Sequence, residues 1–164
     1  MTSVSETLHA TAIAIGGRAV LIEGASGAGK SDLALRLIDR GAMLIADDRT
    51  IVTASESGLA ATCPATIAGR IEARGIGIVS MPNLEEAPVS LIVNLSERVE
   101  RMPEPTTRKI AGVAVRSITL DPREASAPIK VEIALRQAGI SPTVPRGDPA
   151  KLSPDAGEGL PQAT

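Results

Sequence analysis

Length and composition favour a single globular domain. The chain has 164 residues, a formal net charge of -2 and 43% hydrophobic residues, which is enough for one sizeable core but not for two. It contains no Phe, Trp or Tyr, so it lacks the aromatic platforms on which single-stranded nucleic acids stack. It also lacks the blocks of Lys and Arg that bind a polyanion. We therefore expect no nucleic-acid partner.

The first predicted elements form a hairpin. Residues 1–8 are small and polar, so we expect them to fray. Residues 9–15 read as a strand, Gly16-Gly17 as a two-residue turn, and residues 18–23 as the returning apolar strand. The hairpin places His9 at the end of the sheet. On the residues alone, a strand-terminal polar residue is the favoured interpretation of His9, and a site residue is the alternative.

A phosphate-binding loop follows the hairpin. Residues 24–31 match G-x-x-x-x-G-K-[ST] at every specified position. A predicted strand precedes them, and a helix pattern at 31–40, ended by Gly41, follows them. Lys30 is expected to reach the β- and γ-phosphates and Ser31 to hold Mg²⁺. A glycine-rich hairpin turn is the weaker alternative. The predicted nucleotide-binding residues are Gly24, Ala25, Ser26, Gly27, Ala28, Gly29, Lys30 and Ser31.

Two carboxylates stand at the end of the next predicted strand. The apolar residues 42–46 run directly into Asp47 and Asp48, and a strand-helix-strand crossover tends to bring the second strand's end near the phosphate loop. Adjacent residues on an extended strand point opposite ways, so one carboxylate could face Mg²⁺ and the other the acceptor. The alternative is a solvated turn.

Glu72 and Arg74 are the next candidate site residues. They lie two positions apart in the glycine-rich segment 69–79, so they share a face if this segment is extended. A carboxylate and a guanidinium there could bind Mg²⁺ and a phosphate. A surface ion pair between the two is favoured on spacing alone.

The rest of the chain supplies further strands, one helix and a tail. Residues 82–88 are predicted to be a loop, 96–107 an exposed connection, and 141–164 a Pro-rich disordered tail or linker after a domain of residues 1–140. Gly139 is expected to cap the last helix. Cys63 has no partner for a disulfide, so it is expected to pack as a small hydrophobe rather than act as a thiolate. No run is long enough for a membrane span or signal peptide, so we expect a cytoplasmic protein with no membrane partner. The remaining predicted strands are at 50–55, 59–62, 89–95 and 113–120, and the last helix is at 125–137.

Four segments in this order resemble one family. They are the strand of His9, the loop Gly-Ala-Ser-Gly-Ala-Gly-Lys-Ser, the segment Leu-Ile-Ala-Asp47-Asp48, and Glu72-Ala-Arg74-Gly-Ile-Gly-Ile-Val. Across about residues 9–137 the chain resembles the catalytic (C-terminal) domain of HPr kinase/phosphorylase, in a compact form lacking the family's N-terminal domain. The phosphate loop alone is generic, whereas the ordered combination is specific.

The resemblance implies a fold, a reaction and partners. The fold would be α/β, a P-loop-containing mixed sheet with flanking helices, like that of phosphoenolpyruvate carboxykinase. The reaction would be ATP-dependent phosphorylation of a serine on HPr, the phosphocarrier of the sugar phosphotransferase system. ATP and Mg²⁺ are the implied cofactors, and a homo-oligomer is the implied assembly.

The resemblance also implies roles for individual residues. His9, Lys30 and Asp48 match positions treated as catalytic in the family, and Ser31 and Glu72 match its Mg²⁺ ligands. Arg101 matches a further arginine of the family, one that contacts the phosphoryl group. In this mechanism Asp48 accepts the serine proton, His9 orients Asp48, and Arg74 stabilises the transferred phosphoryl group. Which of the two aspartates, Asp47 or Asp48, is the base and which supports the metal is left open by the sequence.

One segment departs from the family's pattern. Bifunctional members carry a Pro-Gly-Arg-Asn-like loop before the last helix, where this chain has Asp-Pro-Arg-Glu-Ala-Ser-Ala-Pro-Ile-Lys at residues 121–130. This departure argues against the reverse removal of phosphate. Two rival functions share the phosphate loop: a small-molecule kinase or NTPase, and a non-catalytic nucleotide-binding regulator.

Overall fold

The structure is a computed structural model that describes residues 3–138. The helices are α1 (Lys30–Asp39) and α2 (Ala127–Ala138), and Ala65–Ile67 form a short 3-10 turn. The strands are β1 (Val4–Leu8), β2 (Ala10–Ile15), β3 (Arg18–Glu23), β4 (Met43–Ala46), β5 (Thr50–Ser55), β6 (Gly58–Thr62), β7 (Arg70–Ala73), β8 (Gly77–Ser80), β9 (Glu86–Leu95), β10 (Thr106–Ile110) and β11 (Val113–Leu120).

Most strands join one mixed sheet in the order β1-β5-β6-β9-β3-β2-β4, with β11 also on β9 and β10 on β11. The long strand β9 connects two parts of this sheet. Its first residues pair antiparallel with β6, and its later residues pair parallel with β3 and β11. β7 and β8 form a separate hairpin. The predicted α/β mixed sheet with flanking helices is confirmed.

The phosphate-loop strand β3 lies at the centre of the sheet because it is apolar on both faces. Val20 and Ile22 join a core with the inner faces of α1 and α2, whereas Ala19 and Leu21 join a second core with β5 and β6. The second core is rich in alanine and the whole chain has no aromatic residue. Small side chains therefore fill much of the space between the β1-β5-β6 part of the sheet and its other strands.

The crossover from β3 through α1 to β4 passes over one strand. β2 is antiparallel to both β3 and β4, so β3 and β4 run in the same direction on either side of it. The ends of β3 and β4 therefore lie at the same edge of the sheet, which brings the phosphate loop and residues 47–48 together, as the crossover pattern predicts.

The predicted hairpins at 9–23 and 50–62 are confirmed, but three other expectations are wrong. Residues 4–8 form β1, which pairs with β5 instead of fraying. Strand β10 begins at residue 106, inside the predicted connection 96–107, and β9 begins at residue 86, inside the predicted loop 82–88. Segment 69–79, whose conformation the sequence left open, is the β7-β8 hairpin. Strands β1 and β10 are mostly polar and are stabilised by backbone pairing, β1 with the distant strand β5 and β10 with the next strand, β11.

Some expectations lie beyond the described residues, namely the cap at Gly139 and the tail at 141–164. Within residues 3–138, no helix has the length and apolar character needed to cross a membrane.

Candidate active site

A cavity of about 470 Å³ opens where β3 and β4 end, between the phosphate loop and the β7-β8 hairpin. Its walls bring together most of the residues singled out from the sequence. The lining residues that the sequence singled out are Ser26, Gly27, Gly29, Lys30, Ser31, Asp47, Asp48, Glu72 and Arg74, and the others are Asp32, Leu35, Ala73 and Ile76.

The phosphate loop needs glycine at two kinds of position. At Gly24 a Cβ atom would lie 3.1 Å from the Cβ atoms of both Ala28 and Leu95, so a side chain there would push the loop off the end of β9. Gly27 and Gly29 have φ angles of 81° and 104°, which favour glycine. Gly29 then leads directly into α1, whose N-terminus carries free N–H groups and about half a positive charge. This local geometry suits a bound phosphate.

Lys30 holds the loop in shape. Its side chain is 6% exposed, and Nζ donates hydrogen bonds to the carbonyl oxygens of Gly24 at 3.0 Å and Ala25 at 3.2 Å. The ammonium group is therefore placed inside the loop, where it can turn to phosphate oxygens when they are present.

The Asp47 carboxylate accepts hydrogen bonds from three separate segments of the site. Its Oδ1 accepts hydrogen bonds from Ser31 Oγ at 2.6 Å and Thr11 Oγ1 at 3.1 Å, and its Oδ2 accepts one from the backbone N–H of Glu72 at 2.9 Å. These bonds tie the phosphate loop, β2 and β7 to one carboxylate. The solvated-turn interpretation of residues 47–48 is therefore wrong for Asp47.

The oxygen atoms around Asp47 fit a magnesium ion. Ser31 and Asp47 are in direct contact, and Glu72 lines the same wall of the cavity. Mg²⁺ binds through oxygen and takes only one or two protein carboxylates when phosphates and water complete its shell. Within residues 3–138 no three His, Cys, Asp or Glu side chains form a metal-binding group of their own. Ser31, Asp47 and Glu72 are the side chains at this cavity that could hold a metal ion.

Asp48 lies beside Asp47 but faces a different neighbour. Its φ angle of 67° is left-handed, so the chain has already left the strand, and strand alternation is not the reason that the two carboxylates diverge. The Asp48 carboxylate is 54% exposed, and its Oδ1 lies 3.5 Å from Nε2 of His9, which is 62% exposed. An accessible carboxylate beside an imidazole is suited to exchanging a proton with an incoming group.

Glu72 and Arg74 both line the cavity and form no ion pair with each other. Arg74 lies in the turn after β7, not on the strand. Arg101 is an exposed residue of the loop between β9 and β10 and is not among the cavity's lining residues. Burial, and secondarily the charge of Asp47, raise the pKa of the Cys63 thiol, which agrees with its expected role as a packing residue.

Two features of the site were not singled out from the sequence. Thr11 is fully buried and contacts Asp47; the signal available was one polar residue within the apolar strand 10–15. Arg108 of β10 makes a bidentate ion pair with Glu23, the residue before the phosphate loop. No sequence signal links those two positions.

The segment that departs from the family's pattern lies behind the phosphate loop. Arg36 of α1 donates to the carbonyl oxygens of Pro122 and Glu124, and Pro122 lies 3.5 Å from where a Cβ of Gly29 would be. Hydrogen bonds from Arg123 lower the pKa of Asp121 to about 2. This segment therefore supports the loop from outside the cavity.

A second cavity, of about 430 Å³, lies along β5, β6 and the start of β9. Small residues and Glu86 line it, and it contains none of the residues predicted to bind nucleotide or metal.

Comparison with known proteins identifies relatives across the described region. A family model described as "HPr Serine kinase C-terminal domain" matches residues 2–138. HPr kinase/phosphorylase of Clostridium tetani is 34% identical over 126 residues, covering 69% of this chain and 41% of the relative. HPr kinase/phosphorylase of Polaromonas naphthalenivorans is 32% identical over 148 residues, covering 80% of this chain and 47% of the relative.

A solved structure agrees with these relatives. The Hpr(Ser) kinase/phosphatase from Coxiella burnetii superposes with a TM-score of 0.70 at 30% identity, covering 80% of this chain and 95% of that one. The chain spans less than half the length of the two curated relatives described above.

Proposed function

This chain belongs to the HPr serine kinase C-terminal domain family, and from that premise we propose that it catalyses ATP-dependent phosphorylation of a serine on HPr, the phosphocarrier of the phosphotransferase system. One observation carries the proposal. A phosphate loop, a carboxylate bonded to its serine, and a second, accessible carboxylate beside a histidine all meet at one cavity.

The phosphate-binding half of the site would hold the nucleotide. Backbone N–H groups of the loop and α1 would bind the β- and γ-phosphates, and Lys30 would turn toward them from the loop carbonyls. Ser31, Asp47 and Glu72 would hold Mg²⁺, which would neutralise the charge that builds on the phosphates. Arg74, at the hairpin side of the cavity, would stabilise the oxygens of the transferred group.

The acceptor half would activate the serine. Asp48 would take the proton of the serine hydroxyl while the serine oxygen bonds to the γ-phosphorus and the bond from that phosphorus to the bridging oxygen breaks. ADP leaves with the bonding electron pair. We assign the base to Asp48 rather than Asp47 because the Asp47 oxygens already accept three hydrogen bonds, whereas the Asp48 carboxylate is exposed. His9 would orient Asp48.

The proposal extends to assembly and location. We propose that residues 1–140 form the catalytic domain, that it associates with copies of itself, and that it works in the cytoplasm, where ATP is available. Light scattering on the purified chain measures the assembly. Arg101 does not line the cavity, and its contact with the phosphoryl group stays a prediction.

The test is phosphoryl transfer to purified HPr. The chain is incubated with Mg²⁺ and ATP labelled in the γ-phosphate, and label on HPr is measured. HPr with its acceptor serine changed to alanine and the Lys30→Ala variant are the two blanks. We expect label on HPr that both blanks lack. ATP turnover without label on HPr would instead favour a small-molecule kinase or NTPase.

A further inference from the structure

One buried hydroxyl connects the two aspartates of the site. Thr11 of β2 is 0% exposed. Its Oγ1 donates a hydrogen bond to Asp47 Oδ1 at 3.1 Å and accepts one from the backbone N–H of Asp48 at 3.0 Å. A hydroxyl has a single proton to donate, so the acceptor and donor roles are divided between the two neighbours. The side chain has no contact with bulk solvent.

Each bond has a distinct consequence. The bond to Asp47 directs Oδ1 toward the phosphate loop, where the same oxygen meets Ser31. The bond from Asp48 holds a residue in the left-handed region, at a φ of 67°, which residues other than glycine adopt uncommonly. In this conformation the Asp48 carboxylate reaches His9, two residues before Thr11 on the same segment.

We infer that Thr11 is a positioning residue for both carboxylates: it holds Asp47 on the metal-binding side and Asp48 on the acceptor side of the cavity. Its catalytic consequence rests on the proposed function. Its geometric consequence does not, because the two hydrogen bonds can be tested without HPr.

The chain offers a matched control in Thr50. This residue is also 0% exposed, and its Oγ1 donates to the carbonyl oxygen of Ala10 at 2.8 Å. It therefore joins the same two segments as Thr11, but this side-chain hydrogen bond involves neither Asp47 nor Asp48. Thr11→Val and Thr50→Val each remove one buried hydroxyl at nearly constant volume.

Three measurements compare Thr11→Val, Thr11→Ser and Thr50→Val with the unchanged chain. Amide hydrogen exchange at Asp48 reads its backbone bond. The Mg²⁺ concentration needed for half-maximal ATP binding reports whether Asp47 is still held at the metal-binding side. Steady-state transfer to HPr reads kcat and KM.

For Thr11→Val we expect exchange at Asp48 about tenfold faster, a several-fold higher Mg²⁺ requirement, and kcat lower by about tenfold with a smaller change in the KM for HPr. Thr11→Ser keeps the hydroxyl and should return all three toward the original values. Thr50→Val should lose thermal stability but leave exchange at Asp48 and kcat within about twofold.

Two results overturn the inference. One is unchanged exchange at Asp48 in Thr11→Val; the other is a fall in kcat for Thr50→Val as large as that for Thr11→Val, since Thr11 would then act only on stability. If Thr11→Val does not fold, Thr11→Ser decides the question. A folded Thr11→Ser variant whose kcat falls about tenfold, although it keeps the hydroxyl, also overturns the inference. One that keeps kcat supports it. Absence of transfer by the unchanged chain would refute the proposed function, and the exchange and Mg²⁺ measurements would still decide the role of Thr11.

Discussion

Asp48→Asn separates chemistry from structure at this site. The substitution keeps the shape of the side chain and removes its ability to take a proton. The hydrogen bond to Thr11 comes from the Asp48 backbone, so it survives, and the carboxylate's own contact is with His9 at 3.5 Å on an exposed surface. Such exposed pairs contribute at most about 1 kcal/mol to stability. We therefore expect folding and ATP binding close to those of the unchanged chain.

The expected effect on the reaction is much larger. A positioned general base accelerates proton removal by about 10²- to 10⁴-fold, which corresponds to about 3–5 kcal/mol of barrier. We expect kcat for HPr phosphorylation to fall by that factor. The assay is initial-rate transfer of labelled phosphate at saturating ATP, with ATP affinity measured separately by calorimetry.

Asp39→Asn is the matched control because it removes the same charge from an exposed residue at the far end of α1, about 14 Å along the helix from Lys30. It should transfer phosphate at the original rate. The assignment of Asp48 as the base is refuted if Asp48→Asn keeps more than about a tenth of kcat. It is also refuted if the loss of activity is explained by an equal loss of ATP affinity.

Two further predictions concern the phosphate loop and its support. Gly29→Ala introduces a side chain at a φ of 104° in the phosphate loop, and Gly17→Ala does so at 81° in the β2-β3 turn. Both should lower the stability of the fold by roughly 1–2 kcal/mol, but calorimetry should find ATP affinity reduced about tenfold for Gly29→Ala alone. Equal ATP affinities of the two variants would contradict a role for the loop geometry in binding. Asp121 has a folded pKa of about 2 against 3.8 when unperturbed, so its charge stabilises the fold above about pH 4, and this contribution is lost as the pH falls toward 2. Urea unfolding between pH 2 and 7 should show that component in the unchanged chain and not in Asp121→Asn; identical curves would refute it.

The strand-loop-helix unit could be predicted from the sequence because its signals are local. An apolar run, a glycine loop ending in Lys-Ser and a helix stopped at Gly41 each determine their own backbone conformation. Two of the strands that were missed, β1 and β10, had no such signal. β1 and β10 are short and mostly polar, and they are stabilised by pairing with β5 and β11, whose positions depend on the whole sheet.

The site divides in the same way. Spacing and resemblance identified Lys30, Ser31, Asp47, Asp48 and Glu72 as candidates, and the structure places all five on one cavity. Neither signal could show that Asp47 is held by three donors from three separate segments. The left-handed conformation of Asp48, which decides where its carboxylate points, is also a product of the surrounding contacts.

The sequence by itself determined the phosphate loop, the apolar strand before it, and the family's ordered set of polar residues, because each depends on neighbours within a few positions along the chain. Only the tertiary structure decided how the surroundings are divided between the two adjacent aspartates, with Asp47 bonded to three donors and Asp48 exposed beside His9. That division depends on hydrogen bonds from Thr11, Ser31 and the backbone of Glu72, which come together only when the crossover from β3 to β4 and the β7-β8 hairpin close around one cavity.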